Sequence, residues 1–308
     1  MTPRALRGDD LPQLTRLWRE LRPDTVHSER GLRHLIGAFP ERAQAAHWVA
    51  GGGHGVVAWC FAHRRWWRAG SNAYVWIGVL PEARGRGLGG KLWELAERHV
   101  SELGAERVNA DAVGDADGER FLEQRGFSHA RTVVISAVDP RSVDLGELAA
   151  RQAQAEADGY RLLSYAEAEL PALYGLDMEA SDDAPGEDLP HELTFEEWKR
   201  DLIEQPDLTH EGSLVVAAGD ATVAYCALSV DREGRRGRNE GTGTARAHRG
   251  RGLATLAKLA QLRWAAGQGI ERIITDNDAQ NAPMLAINRR LGYTPFVNRM
   301  GFVKELGS

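Results

Sequence analysis

The stretch "ARGRGLGGKL" at residues 83–92 spaces its arginines and glycines so that three phosphate-binding patterns fit at once. Gly85, Gly87 and Gly90 make G-x-G-x-x-G, the opening of a dinucleotide-binding unit. Gly85, Gly90 and Lys91 make G-x-x-x-x-G-K, a nucleotide P-loop in which Leu92 stands where a magnesium-binding Ser or Thr belongs. Arg84, Gly87 and Gly89 make R-x-x-G-x-G. The chemistry is common to all three: glycines keep side chains away, so that an anion can reach backbone N–H groups at the positive end of a helix.

A second version, "HRGRGLATLA" from His248, decides among them. Arg84 matches Arg249 at an offset of 165 residues. At the same offset "GAERVNAD" matches "GIERIITD", setting Glu106 against Glu271 and Asp111 against Asp276. "VAWC" ending at Cys60 matches "VAYC" ending at Cys226, "QRGF" ending at Phe127 matches "RRLGY" ending at Tyr293, and "LPQL" from Leu11 matches "LPAL" from Leu170. Matches in one order at nearly constant spacing are an internal duplication. The second copy lacks the P-loop lysine, carries Thr255 in place of the third dinucleotide-loop glycine, and has no acidic residue ending a next strand about 20 residues on. R-x-x-G-x-[G/A] survives in both.

Each loop needs a strand before it and a helix after it. The runs "AYVWIGV" (73–79) and "EGTGTA" (240–245) supply the strands. Leu88, Leu92, Leu95, Ala96 and His99 recur at helical spacing, as do Leu253, Leu256, Leu259, Ala260 and Arg263. Upstream in copy one, a strand at residues 4–6, a helix at 11–21 and a hairpin turning at glycines 51–53 are predicted; downstream, a strand at 107–113, a helix at 119–126 and a strand at 130–138. Copy two repeats the series from Tyr160. The expected architecture is mixed α/β, one sheet flanked by helices, twice: an N-terminal domain over residues 1–140, a helical connector over 141–159 and a C-terminal domain over 160–308.

The two loops in this setting resemble the GNAT superfamily of acyl-CoA-dependent N-acyltransferases, whose signature [Q/R]-x-x-G-x-[G/A] binds the pyrophosphate of coenzyme A. The resemblance covers nearly the whole chain as two tandem copies, an arrangement also seen in mycothiol synthase. It implies a mostly antiparallel sheet, splayed beside the motif strand to admit pantetheine, with acetyl-CoA as donor. It assigns the cofactor to Thr244, Ala245, Arg246, Arg249, Gly250, Arg251, Gly252, Leu253, Ala254 and Thr255 in copy two, and to Val79, Arg84, Gly85, Arg86, Gly87, Leu88, Gly89 and Gly90 in copy one. An Asn before the next helix, contacting the pantetheine arm in the family, is Asn281 in copy two; copy one has Asp115 or Ala116 there.

The reaction implied is direct attack of an amine on the acyl thioester. The tyrosine that serves many members as general acid is replaced by Leu122 and Asn288, and of these Asn288 alone can donate a hydrogen bond to sulfur. Glu240, placed by period-two alternation on one face with Thr242 and Thr244, is the candidate general base, its alternative reading a solvated edge carboxylate. Copy two is therefore expected to be catalytic and copy one a scaffold that still holds coenzyme A. A noncatalytic acyl-CoA sensor and a mycothiol-synthase-like acetylation of a thiol-precursor amine are the rival readings. Residues 177–201 hold ten acids against two bases, with Asp182, Asp183, Glu187 and Asp188 around Pro185 and Gly186. They are either a solvated surface or an electrostatic lure for a cationic amine.

Composition bounds the rest. At 308 residues the chain has room for two domains, and its formal net charge of −6 argues against nucleic acid as partner. No apolar stretch approaches membrane-spanning length and residues 1–10 lack an apolar signal core, so a cytoplasmic monomer or homodimer acting on a small molecule is expected. Cys60 and Cys226 occupy equivalent apolar strands and are expected to be buried and reduced, and the histidines show no metal-ligand spacing.

Overall fold

The structure, a computed structural model, describes residues 1–52, 55–66, 71–183 and 193–306. Its strands are β1 (Arg4–Ala5), β2 (Ala46–Gly52), β3 (Gly55–Arg64), β4 (Asn72–Val79), β5 (Arg107–Val113), β6 (Ser128–Val138), β7 (Tyr160–Ser164), β8 (Leu214–Ala218), β9 (Ala221–Asp231), β10 (Arg236–Thr244), β11 (Arg272–Asp278) and β12 (Thr294–Glu305). The helices are α1 (Leu11–Leu21), α2 (Glu29–Gly37), α3 (Leu88–Glu102), α4 (Ala116–Glu123), α5 (Leu148–Ala157), α6 (Leu170–Asp182), α7 (Phe195–Trp198), α8 (Leu253–Gly267) and α9 (Ala282–Arg290). The predicted mixed α/β class, sheet between helices in each copy, is what forms.

Two compact units result, but they are not cut at the expected residues 140 and 160. One comprises Met1–Thr25, Glu29–Val133 and Val297–Ser308; the other comprises Val26–Ser28 and Val134–Phe296. Most of β12 therefore belongs to unit 1, where it pairs antiparallel with β5 from Arg299↔Val113 to Glu305↔Arg107. The second half of β6 belongs to unit 2. A strand is held by the edge that satisfies its backbone and buries its apolar face. Phe302 enters the core of unit 1 and Val138 that of unit 2.

In unit 1 the strand order runs β1-β2-β3-β4-β5-β12. Period-two alternation sends Ala58, Cys60, Ala62 and Val75 toward α3, and Trp59, Phe61 and Trp76 toward α1 and α2. The buried stripe of α3 is Leu88, Leu92, Trp93, Ala96 and Val100; of the predicted stripe, Leu95 and His99 are only half-buried, His99 packing edge-on against Trp48 of β2 at 5.7 Å. In unit 2 the order is β6-β11-β10-β9-β8-β7. There α8 covers Ala224, Cys226 and Leu228, while α6 and α7 cover Val215, Tyr225 and Ala227. Helix α8 is buried nearly all round, Lys258 and Gln261 included. Both cysteines are free and buried.

In each of these strand orders one parallel pairing matters for function. β4 and β5 are in register from Asn72↔Arg107 to Tyr74↔Asn109, and β10 and β11 from Arg236↔Arg272 to Asn239↔Thr275. Beyond those residues the strands part, so each sheet opens into a fork at the side where the glycine loop begins.

Candidate active site

The two loops have one backbone shape. Gly85 and Gly87 hold φ of 71° and 75°, and Gly250 and Gly252 hold 76° and 77°. Arg84 and Arg249, before each pair, are extended. A Cβ at Gly85, Gly87 or Gly250 would meet no atom within 4 Å, so glycine is required there for its left-handed conformation and not for space. Gly87 and Gly252 are the N-caps of α3 and α8 and supply no capping side chain. The first N–H groups of each helix thus have no intrahelical acceptor and face outward, the condition for binding an anion.

The signature arginine ties each loop to its strand. Arg84 Nε donates to the Val79 carbonyl at 3.0 Å, and Arg249 Nε donates to the Thr244 carbonyl at 3.1 Å. The rest of the guanidinium is used differently. Arg84 forms a forked pair with Asp115 at 3.2 and 2.9 Å. Arg249 bonds Asp183, which also receives Arg246 Nε and Nη2 at 2.8 and 2.6 Å, and these two arginines hold its carboxyl down at about 2. Asp183 is therefore committed to the loop and does not serve as a free lure for a cation. Asp182 closes α6 beside it; Glu187, Asp188 and the expected turn at Pro185 and Gly186 lie outside the described residues.

Elsewhere in the loop of unit 2, Ala245 N–H donates to Val223, Arg251 donates to the Tyr160 hydroxyl at 3.1 Å, and buried Thr255 accepts Arg290 at 3.0 Å. Leu253 and Leu88 are buried first residues of their helices, Ala254 follows Leu253, and Arg86 is exposed. Gly89 in unit 1 has a steric reason: a Cβ there would lie 3.0 Å from the Phe121 ring. A Cβ at Gly90 would lie 3.7 Å from Arg125 Nη2, an ordinary contact. Asn281 caps α9, accepting Met284 N–H at 3.3 Å, and Asp115 caps α4, accepting Asp117 N–H at 3.2 Å, so the N-cap place held by Asn281 falls to Asp115 in unit 1 and not to Ala116.

A cavity of about 470 Å³ in unit 1 runs from Arg84–Gly90 between the fork arms, past Trp93 and Phe121, to Arg22 and Asp111. Arg22 at the end of α1 is almost fully buried and forms a forked pair with Asp24 at 2.8 and 2.9 Å. It also donates to Asp111 at 3.1 Å, and Arg299 of β12 donates to Asp24 at 2.9 Å. Burial opposes charge on Asp24, but the two arginines outweigh it and hold the carboxyl at about 2; burial likewise opposes charge on Arg22, whose carboxylate neighbours raise it well above its usual range.

The fork of unit 2 is built otherwise. A β-bulge between Asn239 and Gly241 interrupts the pairing of β10 with β9. The extra residue breaks the alternation that was to put Glu240, Thr242 and Thr244 on one face. Thr242 instead bonds Asn239 Oδ1 at 3.0 Å on the side of α8, while Glu240 pairs with Arg238, which also donates to Asp276 at 2.7 Å. On the α8 side, Asn288 Nδ2 donates to Asn277 Oδ1 at 2.7 Å, so one of its two hydrogens is spent; its buried Oδ1 has no partner among the described residues. The Tyr293 hydroxyl is likewise buried without one. Lys258, held against the Asn239 amide oxygen at 3.1 Å, is pushed below the usual lysine range by burial. A cavity of about 800 Å³ lies over the loop, lined by Arg151, Arg249, Arg251 and Arg290, with Thr242–Thr244 and Asn281 at its inner end.

Arg22, Arg238 and Asp276 were not singled out by sequence. The signal for Asp276 was present, since it and Asp111 match within the repeated "GAERVNAD" and "GIERIITD". Arg22 and Arg238 come from non-equivalent elements and left none.

Comparison with family models matches the acetyltransferase (GNAT) family over residues 11–127 and again over 170–293. Comparison with curated proteins found no match. Among solved structures the chain is similar to a tandem GNAT protein from the clavulanic acid biosynthesis pathway, in a form without acetyl-CoA, at 19% identity and a TM-score of 0.75, covering 100% of this chain and 98% of that one. It is also similar to a GCN5-related N-acetyltransferase from Sphaerobacter thermophilus, at 21% identity and a TM-score of 0.67, covering 98% and 95%. At such identities the likeness is one of fold. Among the described residues no helix is long and apolar enough to cross a membrane.

Proposed function

This chain belongs to the acetyltransferase (GNAT) family, and from that premise we propose that it moves an acetyl group from acetyl-CoA to the amine of a small cationic acceptor, with the second copy catalytic. The observation that carries the choice of copy is that Asn288 spends one Nδ2 hydrogen on Asn277 and has a second to offer a departing sulfur, whereas buried Leu122 at the equivalent place in unit 1 has none. The arginine-lined cavity of unit 2 suits the phosphates of the donor. The cavity of unit 1, with aromatic walls and a phosphate loop at one end, suits a pantetheine arm, so unit 1 is a second site for the same donor.

In unit 2 the amine nitrogen attacks the thioester carbonyl carbon as its proton passes, through water, to Glu240. The carbon–sulfur bond then breaks and sulfur leaves as a thiolate, which is tolerable near neutral pH because a thiol of pKa about 8.5 is a fair leaving group. The remaining Nδ2 hydrogen of Asn288 supports the sulfur. The test is thiol release from acetyl-CoA with a panel of amines, for the unaltered protein and for Gly87→Glu and Gly252→Glu. Gly252→Glu should abolish turnover, since bulk and negative charge both oppose a pyrophosphate there. Loss with Gly87→Glu and retention with Gly252→Glu would assign catalysis to the first copy.

A further inference from the structure

We infer that the two copies divide coenzyme A thioesters by acyl chain, unit 1 favouring a longer aliphatic acyl group such as butyryl and unit 2 the acetyl group; this rests on the reading above that both units bind the donor. Equivalent positions of the two folds differ in one direction. Ile77 pairs across from Cys60 as Thr242 pairs across from Cys226, and two residues along those strands Val75 pairs with Ala62 where Asn239 pairs with Leu228. On the neighbouring strand Ala110 of β5 answers to Thr275 of β11. Counted from their first residues, Leu88 and Leu253, helices α3 and α8 carry Trp93 and Lys258 at the same place. Leu122 of α4 answers to Asn288 of α9.

The five in unit 1 are apolar, and all five line its cavity, which continues from the glycine loop to Arg22. The five in unit 2 are polar. Thr242 lines the cavity there and bonds Asn239 Oδ1 at 3.0 Å, which also accepts Lys258 at 3.1 Å and Thr275 at 3.5 Å, while the buried Asn288 Oδ1 has no partner among the described residues. The anion site at each loop fixes the direction of the ligand, phosphates at the loop and acyl end inward. Along the wall of unit 1 each further methylene leaves water for apolar surface, a gain of about fourfold in affinity. In unit 2 the same methylene would lie against hydroxyl and amide groups and give them no hydrogen bond, which cancels the gain. Arg22, bonded to Asp24 and Asp111, ends the apolar wall of unit 1 and so limits the length of chain that profits from it.

The experiment is calorimetry on the full chain with acetyl-CoA, propionyl-CoA and butyryl-CoA, Gly252→Glu isolating unit 1 and Gly87→Glu isolating unit 2. In Gly252→Glu the affinity should rise about fourfold with each added methylene, about 15-fold from acetyl to butyryl, and in Gly87→Glu it should stay level or fall. Leu122→Asn added to Gly252→Glu should flatten the rise. An affinity in Gly252→Glu that does not rise along the series, or an equal rise in Gly87→Glu, overturns the division of chains while the two donor sites stand. A single site in the unaltered protein, lost in Gly252→Glu and kept in Gly87→Glu, overturns the second donor site and the inference with it. Should a glycine variant misfold, the unaltered protein decides: butyryl-CoA should resolve a tight site and a weak one, and two sites shifted alike from their acetyl-CoA affinities would overturn the inference.

Discussion

Replacing Gly252 by alanine isolates what the glycine loop requires. Its φ is 77°, in the left-handed region, which costs an ordinary residue about 1–2 kcal/mol. The added methyl carbon would sit 3.2 Å from Arg151 Nη1, the far end of a long side chain paired with Glu147 that can shift by a few tenths of an ångström, so sterics add little. The loss should therefore be about 1–2 kcal/mol, or an unfolding midpoint lower by about 1.5–3 °C for a chain of 308 residues. Gly250→Ala, with nothing within 4 Å of its Cβ, should cost the same. Asparagine tolerates the left-handed region, so Gly252→Asn should recover most of the loss. Thermal unfolding gives the stability, and acetyl-CoA calorimetry reads whether the N–H groups of the first helical turn still converge. Alanine as stable as glycine, or asparagine no better than alanine, would refute the argument that backbone conformation dictates these positions.

Asp183→Asn removes the carboxylate that Arg246 and Arg249 hold, freeing both guanidinia for the donor's phosphates; coenzyme A should bind unit 2 severalfold more tightly and with a steeper salt dependence, and an unchanged calorimetric affinity would sink the idea. On acidification unit 1 should weaken in two steps. His47 and His63, kept neutral by burial at about 4 against about 6.5 when unfolded, stabilise the fold above pH 6.5 and lose that contribution as pH falls toward 4. Asp24, held at about 2 by Arg22 and Arg299 against about 3.9 unfolded, contributes on the order of a few kcal/mol above pH 4 and loses it as pH falls through 2. Urea midpoints measured against pH should show both steps, and Asp24→Asn should lack the lower one; parallel profiles would contradict the assignment.

The duplication, both glycine loops, α1 over Leu11–Leu21 and β5 over Arg107–Val113 were legible in the sequence, because each rests on local pattern: left-handed glycines, a 3.6-residue stripe, a period of two. What was not legible depends on partners distant in the chain. The bulge at Asn239–Gly241 is a property of how β10 meets β9, and one inserted residue turned the side chains Glu240 was expected to accompany to the other face. The acids of residues 177–201 read as one charged run, yet Asp183 lies on Arg246 and Arg249 while Asp177 is buried against Tyr225 and Trp198. Which edge β12 would join could not be known from its own residues, since any antiparallel edge offers the same backbone bonds.

The allocation of β12 to unit 1 sets a timetable for synthesis. Unit 1 is otherwise complete at Val133, but its β5 edge stays open until residues from Val297 onward have been made, roughly 160 residues later. At about 5–20 residues per second, a nascent chain carries that bare strand for on the order of ten to thirty seconds. An unpaired strand edge invites pairing with other chains, so this interval, and not the finished protein, is where aggregation threatens. Arg299 also arrives only then, and until it does Asp24 has lost one of its two buried cations. A ribosome that stalls within the second copy therefore spoils the first one too.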